Sequence, residues 1–336
     1  MNLNNLRNPK DIVIIILGSW IILILTFHSE LDGCGVKWRP EYPKPFFPRS
    51  VFPHCIIIGA MKCGTRALIS MLADIYPQIR ISKKEIHFFS RKYDLGIDWY
   101  LNKLPQMKHP GDLILEKSPS YFKIDESAER IYQHLPQGKF ILIVCDPVRR
   151  AMSHFVHETY SKNMRKRLKI LNDTEFLEFL NVAKLEPSSS FEEFLTLPNG
   201  SYNLQREVIQ TGLYGAKIKP WLKVFHRDQL LILNGQNIIN NPYLSLKQVE
   251  SFLHLPSVAS ENMFFKRAGS NFYCWRYSKN GSISGQYGKC LGHSKGREHP
   301  KASANIIKWM KNIFTVSNEE FFNLTGTYFN WDMNET

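Results

Sequence analysis

The residues with the clearest capacity for chemistry lie in a few short stretches. In "CIIIGAMKCGTRALISML", residues 55–72, an apolar run passes through two glycines and a lysine into a helical pattern. Gly59 and Gly64 let the backbone approach a ligand closely. A helix starting near Thr65 aims free N–H groups and its positive dipole end at the same point. Lys62 adds a mobile cation and Thr65 a hydroxyl, so the loop suits a phosphate. The nucleotide-triphosphate loop, however, places its lysine after the second glycine, whereas Lys62 precedes Gly64. In "KKEIHFFS", residues 83–90, Glu85 stands two residues before His87, a pairing that fits a general base with a polar neighbour to orient it. "LILEKSPSYF", residues 113–122, ends an apolar run with Glu116 and Lys117 before a Ser-Pro turn. Taken singly, the last two are no more than a surface triplet and a strand end.

The elements that must position these residues alternate along the chain. "HCIIIGA", "KFILIVCDP" and "QLLILNG" are continuous apolar runs of the kind that form buried strands, each followed by a helical stretch. Such alternation predicts an α/β fold, a central parallel sheet with helices on both faces. Ligands then bind at the carboxyl edge of the sheet, which places residues 59–66 and 145–153 there. In the helix after the first strand, Leu68, Met71, Leu72 and Ile75 share one face.

The first part of the chain is different. Ile12 to Phe27 holds 16 residues without a charge, behind Arg7 and Lys10. As a helix it is roughly 24 Å long, short for an average bilayer but fitting a thinner early-secretory one. The positive flank places the N-terminus in the cytoplasm. The alternative, a cleaved signal peptide, lacks a good cleavage site in "HSELDGCG". The expected organisation is a cytoplasmic tail over 1–11, an anchor over 12–27, a proline-rich stem over 28–53 and one lumenal domain over 54–336. In a lumen the sequons at Asn172, Asn199, Asn280, Asn323 and Asn334 become usable. Of six cysteines, Cys274 and Cys290 flank a loop readily closed by a disulfide worth about 3 kcal/mol, and Cys55 reads as a buried thiol. No C-x-x-C pair or His/Cys cluster points to a metal. The formal charge of +13 directs a lumenal protein toward anionic lipid, sulfated glycan or phosphorylated cofactor, and away from nucleic acid.

Together, "IIIGAMKCGTRAL", "EIHFF", "EKSPSYF", "CDPVRRAMSHF", "FYCW" and "KCLGHSKGREHP" resemble the heparan sulfate glucosamine 3-O-sulfotransferases in order and approximate spacing, from about residue 54 to Asp332. The resemblance implies a P-loop-like sulfotransferase fold in a Golgi type II membrane protein, with 3′-phosphoadenosine 5′-phosphosulfate as donor, heparan sulfate chains of proteoglycans as acceptor, and no metal. It implies that Lys62, Cys63, Gly64, Thr65 and Arg66 hold the 5′-phosphosulfate. Glu85 becomes the catalytic base toward the glucosamine 3-hydroxyl, with Lys62, His87 and Lys117 as further catalytic groups. Ser90, Ser118, Pro119, Ser120 and Trp221 fall on the acceptor side. Cys145 and Ser153 fall in the segment that holds the 3′-phosphate. Tyr273, Lys295, Gly296, Arg297, Glu298 and His299 match further donor contacts, pinned by the Cys274–Cys290 pair.

Three positions depart from the family. Cys145 stands where it usually has arginine, Ser90 where it has aspartate, and Cys63 where it has a loop glycine. A thiol cannot make the bidentate contact of arginine with phosphate, which predicts donor binding weaker by roughly 10- to 150-fold. Two other readings remain open: a sulfotransferase acting on another hydroxylated glycan, and a catalytically weak relative that binds heparan sulfate.

Overall fold

The computed structural model describes residues 12–17, 20–25, 52–168, 190–268, 272–277, 287–292 and 297–331. An N-terminal unit, residues 1–42, is separate from the unit spanning 43–336. In the first, β1 (Ile12–Leu17) and β2 (Trp20–Leu25) pair antiparallel, Ile12 opposite Leu25 and Leu17 opposite Trp20. This differs from the helical span expected of residues 12–27. Eight of the twelve strand residues are β-branched, and such side chains favour extended backbone. Among the described residues no helix is long and apolar enough to cross a membrane.

The larger unit is built on five parallel strands: β3 (Cys55–Gly59), β4 (Ile79–Ile81), β5 (Leu113–Lys117), β6 (Lys139–Val144) and β7 (Leu230–Asn234). Their spatial order is β4-β5-β3-β6-β7, so the chain steps from β3 to the edge strand β4, returns to set β5 between them, and then crosses to the other side of β3 for β6 and β7. The loops leaving β3, β5 and β6 therefore converge at one edge, where an open α/β sheet forms its binding crevice. The strands predicted from the three apolar runs are β3, β6 and β7; β3 is buried throughout, as its unbroken isoleucines require. A separate antiparallel sheet joins β8 (Phe264–Lys266), β9 (Tyr273–Tyr277) and β10 (Tyr287–Lys289).

The helices follow in chain order as α1 (Thr65–Ile75), α2 (Phe88–Arg91), α3 (Ile97–Leu101), α4 (Glu126–His134), α5 (Pro147–Leu168), α6 (Phe191–Leu195), α7 (Glu207–Gln210), α8 (Tyr214–Val224), α9 (Gly235–Asn240), α10 (Pro242–Leu253) and α11 (Ala304–Thr325). In α1, Leu68, Met71, Leu72 and Ile75 are buried in the main core, the face that helical spacing predicts. A second apolar cluster joins α5, α6 and α11 through Val148, Phe155, Phe191, Ile306, Met310 and Phe314. Together the two cores fix the directions in which β3, β5 and β6 deliver their loops.

Candidate active site

Glu85 lies between two partners. Lys117 Nζ, at the end of β5, forms an ion pair with Glu85 Oε1, and His87 Nε2 is 3.2 Å from Oε2. Burial acts to raise the Glu85 pKa, but the hydrogen bond from His87 and the charge of Lys117 outweigh it and hold the carboxyl down at about 2. The Lys117 pKa is lowered, chiefly by burial, with the Glu85 charge opposing and the Arg66 charge adding to the fall. Arg66 is in the first turn of α1, so the loop after β3 and the end of β5 share one electrostatic field. Beyond His87, its Nδ1 lies 2.8 Å from Ser120 Oγ, which lies 2.7 Å from Ser90 Oγ. With Nδ1 accepting from Ser120, Nε2 carries the proton and donates to Glu85. Ser90 thus joins Glu85 through Ser120 and the His87 ring.

A buried carboxyl supports this row from below. Glu116 is fully buried and accepts from Ser118 Oγ at 2.5 Å and from the Tyr100 and Tyr121 hydroxyls at 3.2 Å each. Burial raises its pKa to about 7 against the opposing effect of these donors. Two of its partners reach the turn that follows Glu85: the His87 backbone N–H donates to Ser118 Oγ at 3.0 Å, and that of Phe88 to the Tyr121 hydroxyl at 3.1 Å. His87 has a left-handed backbone, φ 57°, a conformation costing about 1 kcal/mol for a residue with a side chain. These two bonds hold it there. In the sequence Glu116 reads only as a strand end, because nothing local shows that the Ser118 and Tyr121 hydroxyls of the following turn fold back on it or that Tyr100 of α3 joins them.

The loop after β3 has the shape the sequence predicts and one bond it does not. Lys62 and Gly64 are both left-handed, with φ of 78° and 99°. Gly64 is the N-cap of α1 and provides no side-chain cap, so the first-turn N–H groups are left for a ligand. Cys63, however, is bonded to Cys145, with S–S 2.05 Å and Cα–Cα 5.5 Å. The expectation of a free thiol at Cys145 is therefore corrected: the two cysteine departures from the family pattern form one bond, and neither side chain offers a thiol to a phosphate. Two cysteines at the ends of neighbouring strands were the signal for it, hidden by a sequence separation of 82. Cys274 and Cys290 are bonded as expected, with S–S 2.00 Å, and Cys55 is a buried free thiol.

At the end of β6 the two arginines diverge. Arg150 is buried, donates to the Val208 carbonyl and lies 3.4 Å from His154 Nδ1. Arg149 is exposed in the first turn of α5. Burial lowers the His299 pKa, with the Arg149 and Lys62 charges adding to the effect. Ser153 is half-buried in the second turn of α5, Tyr273 is half-buried in β9, Arg297 and His299 are half-buried, and Glu298 is exposed. Pro119 and Ser118 are buried in the turn after β5. Lys295 and Gly296 lie outside the described residues, as do Asn172, Asn280 and Asn334. Asn199 is exposed in a turn and Asn323 is exposed in α11. Trp221 is a correction: it is fully buried in α8, with its ring 5.5 Å from that of Phe140 and 5.8 Å from that of Phe225. Its apolar bulk completes the core beneath the sheet, and no saccharide reaches it there.

Residues 52–325 match the family described as Sulfotransferase domain. Heparan sulfate glucosamine 3-O-sulfotransferase 5 of Mus musculus is 33% identical over 282 residues, covering 83% of this chain and 74% of that protein. Heparan sulfate glucosamine 3-O-sulfotransferase 6 of Mus musculus is 31% identical, covering 98% of this chain and 93% of that one. A solved sulfotransferase from Alicyclobacillus acidocaldarius aligns with a TM-score of 0.49 at 20% identity, over 83% of this chain and 97% of that one. The chain is a sulfotransferase and belongs with the heparan sulfate glucosamine 3-O-sulfotransferases.

Proposed function

We propose that the chain transfers a sulfuryl group from 3′-phosphoadenosine 5′-phosphosulfate to the 3-hydroxyl of glucosamine residues in heparan sulfate, with Glu85 as general base in an in-line displacement. The observation that carries this reading is the Glu85 carboxylate, set between Lys117 and His87 at the same sheet edge as the anion-suited loop. The donor supplies the sulfuryl group. Its phosphates fit the uncapped start of α1, with Lys62, Arg66 and Arg149 as the cations nearest to hand.

The residues divide the work as follows. With its pKa held at about 2, Glu85 stands as the carboxylate, the form that can accept the acceptor proton, and it gains basicity as its ion pair with Lys117 loosens. His87, fixed by Ser120 on its other nitrogen, holds one carboxylate oxygen in place. As Glu85 takes the proton its own charge disappears, and the Lys117 charge it had balanced becomes available to the oxygens on which negative charge accumulates. Lys62 serves the same end from the donor loop. The apolar run at residues 12–27 and its basic flank support placement at a Golgi membrane, with the domain in the lumen. Proteoglycan heparan sulfate is the partner, in keeping with a formal charge of +13.

The test incubates the purified full chain with labelled donor and heparan sulfate, followed by disaccharide analysis. Label at the glucosamine 3-hydroxyl is expected. Label on a different hydroxyl or glycan would overturn the acceptor assignment, and no transfer would overturn the enzymatic reading.

A further inference from the structure

We propose that the Cys63–Cys145 bridge is the positioning element of the donor loop, holding it by a covalent bond in the shape that binds the donor. The inference rests on the sulfotransfer reading and adds to it a pair of positioning residues. The loop carries two left-handed residues, Lys62 and Gly64, one on either side of Cys63; glycine takes that shape freely, but Lys62 tends to relax from it when nothing holds it. At its start it is tied to β6 by the Ala60 N–H, which donates to the Ile143 carbonyl at 2.7 Å. At its centre the bridge ties it to the residue just past β6. Cys63 is 3% exposed, and the surroundings are built around the bond. The Tyr214 hydroxyl lies 3.5 Å from Cys63 Sγ and donates to the Cys145 carbonyl at 2.9 Å. On another side, a Cβ on Gly235 would come within 2.8 Å of the Cys63 carbonyl and 2.9 Å of Cys145 Cβ, so only glycine lets α9 start this close. With the loop fixed before the ligand arrives, donor binding does not carry the entropic cost of ordering it.

The test measures binding of adenosine 3′,5′-bisphosphate by calorimetry, with steady-state kinetics, for the full chain and for Cys63→Ser, Cys145→Ser and the double variant. Each single variant and the double are expected to lose the same factor, about 5- to 30-fold, in nucleotide affinity and donor KM. The kcat at saturating donor stays unchanged. Equal losses are the mark of one bond, whereas losses that multiply in the double variant would show two independent contacts and overturn the proposal. A fall in kcat with affinity unchanged would also overturn it. If the oxidised wild-type chain binds no nucleotide at all, the sulfotransfer reading fails and the inference with it.

Should the variants not fold, stepwise reduction of the wild-type chain takes their place. Dithiothreitol passes two electrons and two protons to a bridge, leaving two thiols and its own cyclic disulfide. Alkylation and peptide mapping then give the open fraction of each bridge. Affinity is expected to follow the Cys63–Cys145 fraction; affinity that follows Cys274–Cys290, or neither, would overturn the proposal.

Discussion

The two sides of the site are held by different forces. On the β5 side, Glu85, Lys117, His87, Ser120 and Ser90 are joined by ion pairs and hydrogen bonds resting on the buried Glu116 carboxyl. On the β3–β6 side, a covalent bond joins the loop after β3 to the strand end beside it. In the proposed reaction the first side moves a proton and redistributes charge, which hydrogen bonds can follow. The second holds an anion still, and there a bond that does not exchange serves better.

This division predicts that substitutions on the two sides fail in different ways. Glu85→Gln is expected to lower kcat by about 10²- to 10⁴-fold and leave calorimetric binding of the bisphosphate nucleotide unchanged; loss of both together would erase the distinction. Arg149→Ala should do the reverse, weakening the nucleotide by roughly 10- to 150-fold, the worth of a charge-assisted contact, with kcat at saturating donor preserved. In Lys117→Met, Glu85 loses the charge that helps hold its pKa at about 2, and burial then moves it up. An acid limb is expected in kcat/KM between about pH 4 and 6, where the wild-type profile is flat with respect to this group. A flat profile in the variant would show that His87 alone holds Glu85 ionised.

The smallest effect concerns the support beneath. Burial raises the Glu116 pKa to about 7 from its ordinary 4.5, so between these values the folded chain binds more protons there than the unfolded one. Stability from this group is full below the unfolded value and falls as pH rises toward 7. Urea midpoints measured across that range should decline in the wild type and lose that decline in Glu116→Gln. Equal slopes in both would place the ionisation elsewhere.

Local pattern was enough for the strands and the loop. Cys55–Gly59 is a central strand because its isoleucines have nowhere to go but the core, and the turn into Thr65 follows from the glycines and the helical face behind them. The hairpin pair Cys274–Cys290 was legible for the same reason, with a sequence separation of only 16. What was not legible depends on which strands become neighbours. Cys63 and Cys145 meet because β6 crosses to the far side of β3. Arg150 is drawn inward by the Val208 carbonyl of α7, a helix whose place no nearby residue announces. The family resemblance puts Trp221 on the acceptor side, and in the fold it fills the core. The span over residues 12–27 shows the opposite limit, since an unbroken apolar run rich in isoleucine satisfies the patterns of helix and strand alike.

One further contact bears on how the site is held. Asp74, in the last turn of α1, accepts from Trp275 Nε1 and from Lys289 Nζ at 2.9 Å each, fastening the far end of the helix to the small antiparallel sheet. The same helix begins beside Cys63. A rod held at both ends resists tilting, so the end of α1 beside Cys63 is set in part by contacts a whole helix away.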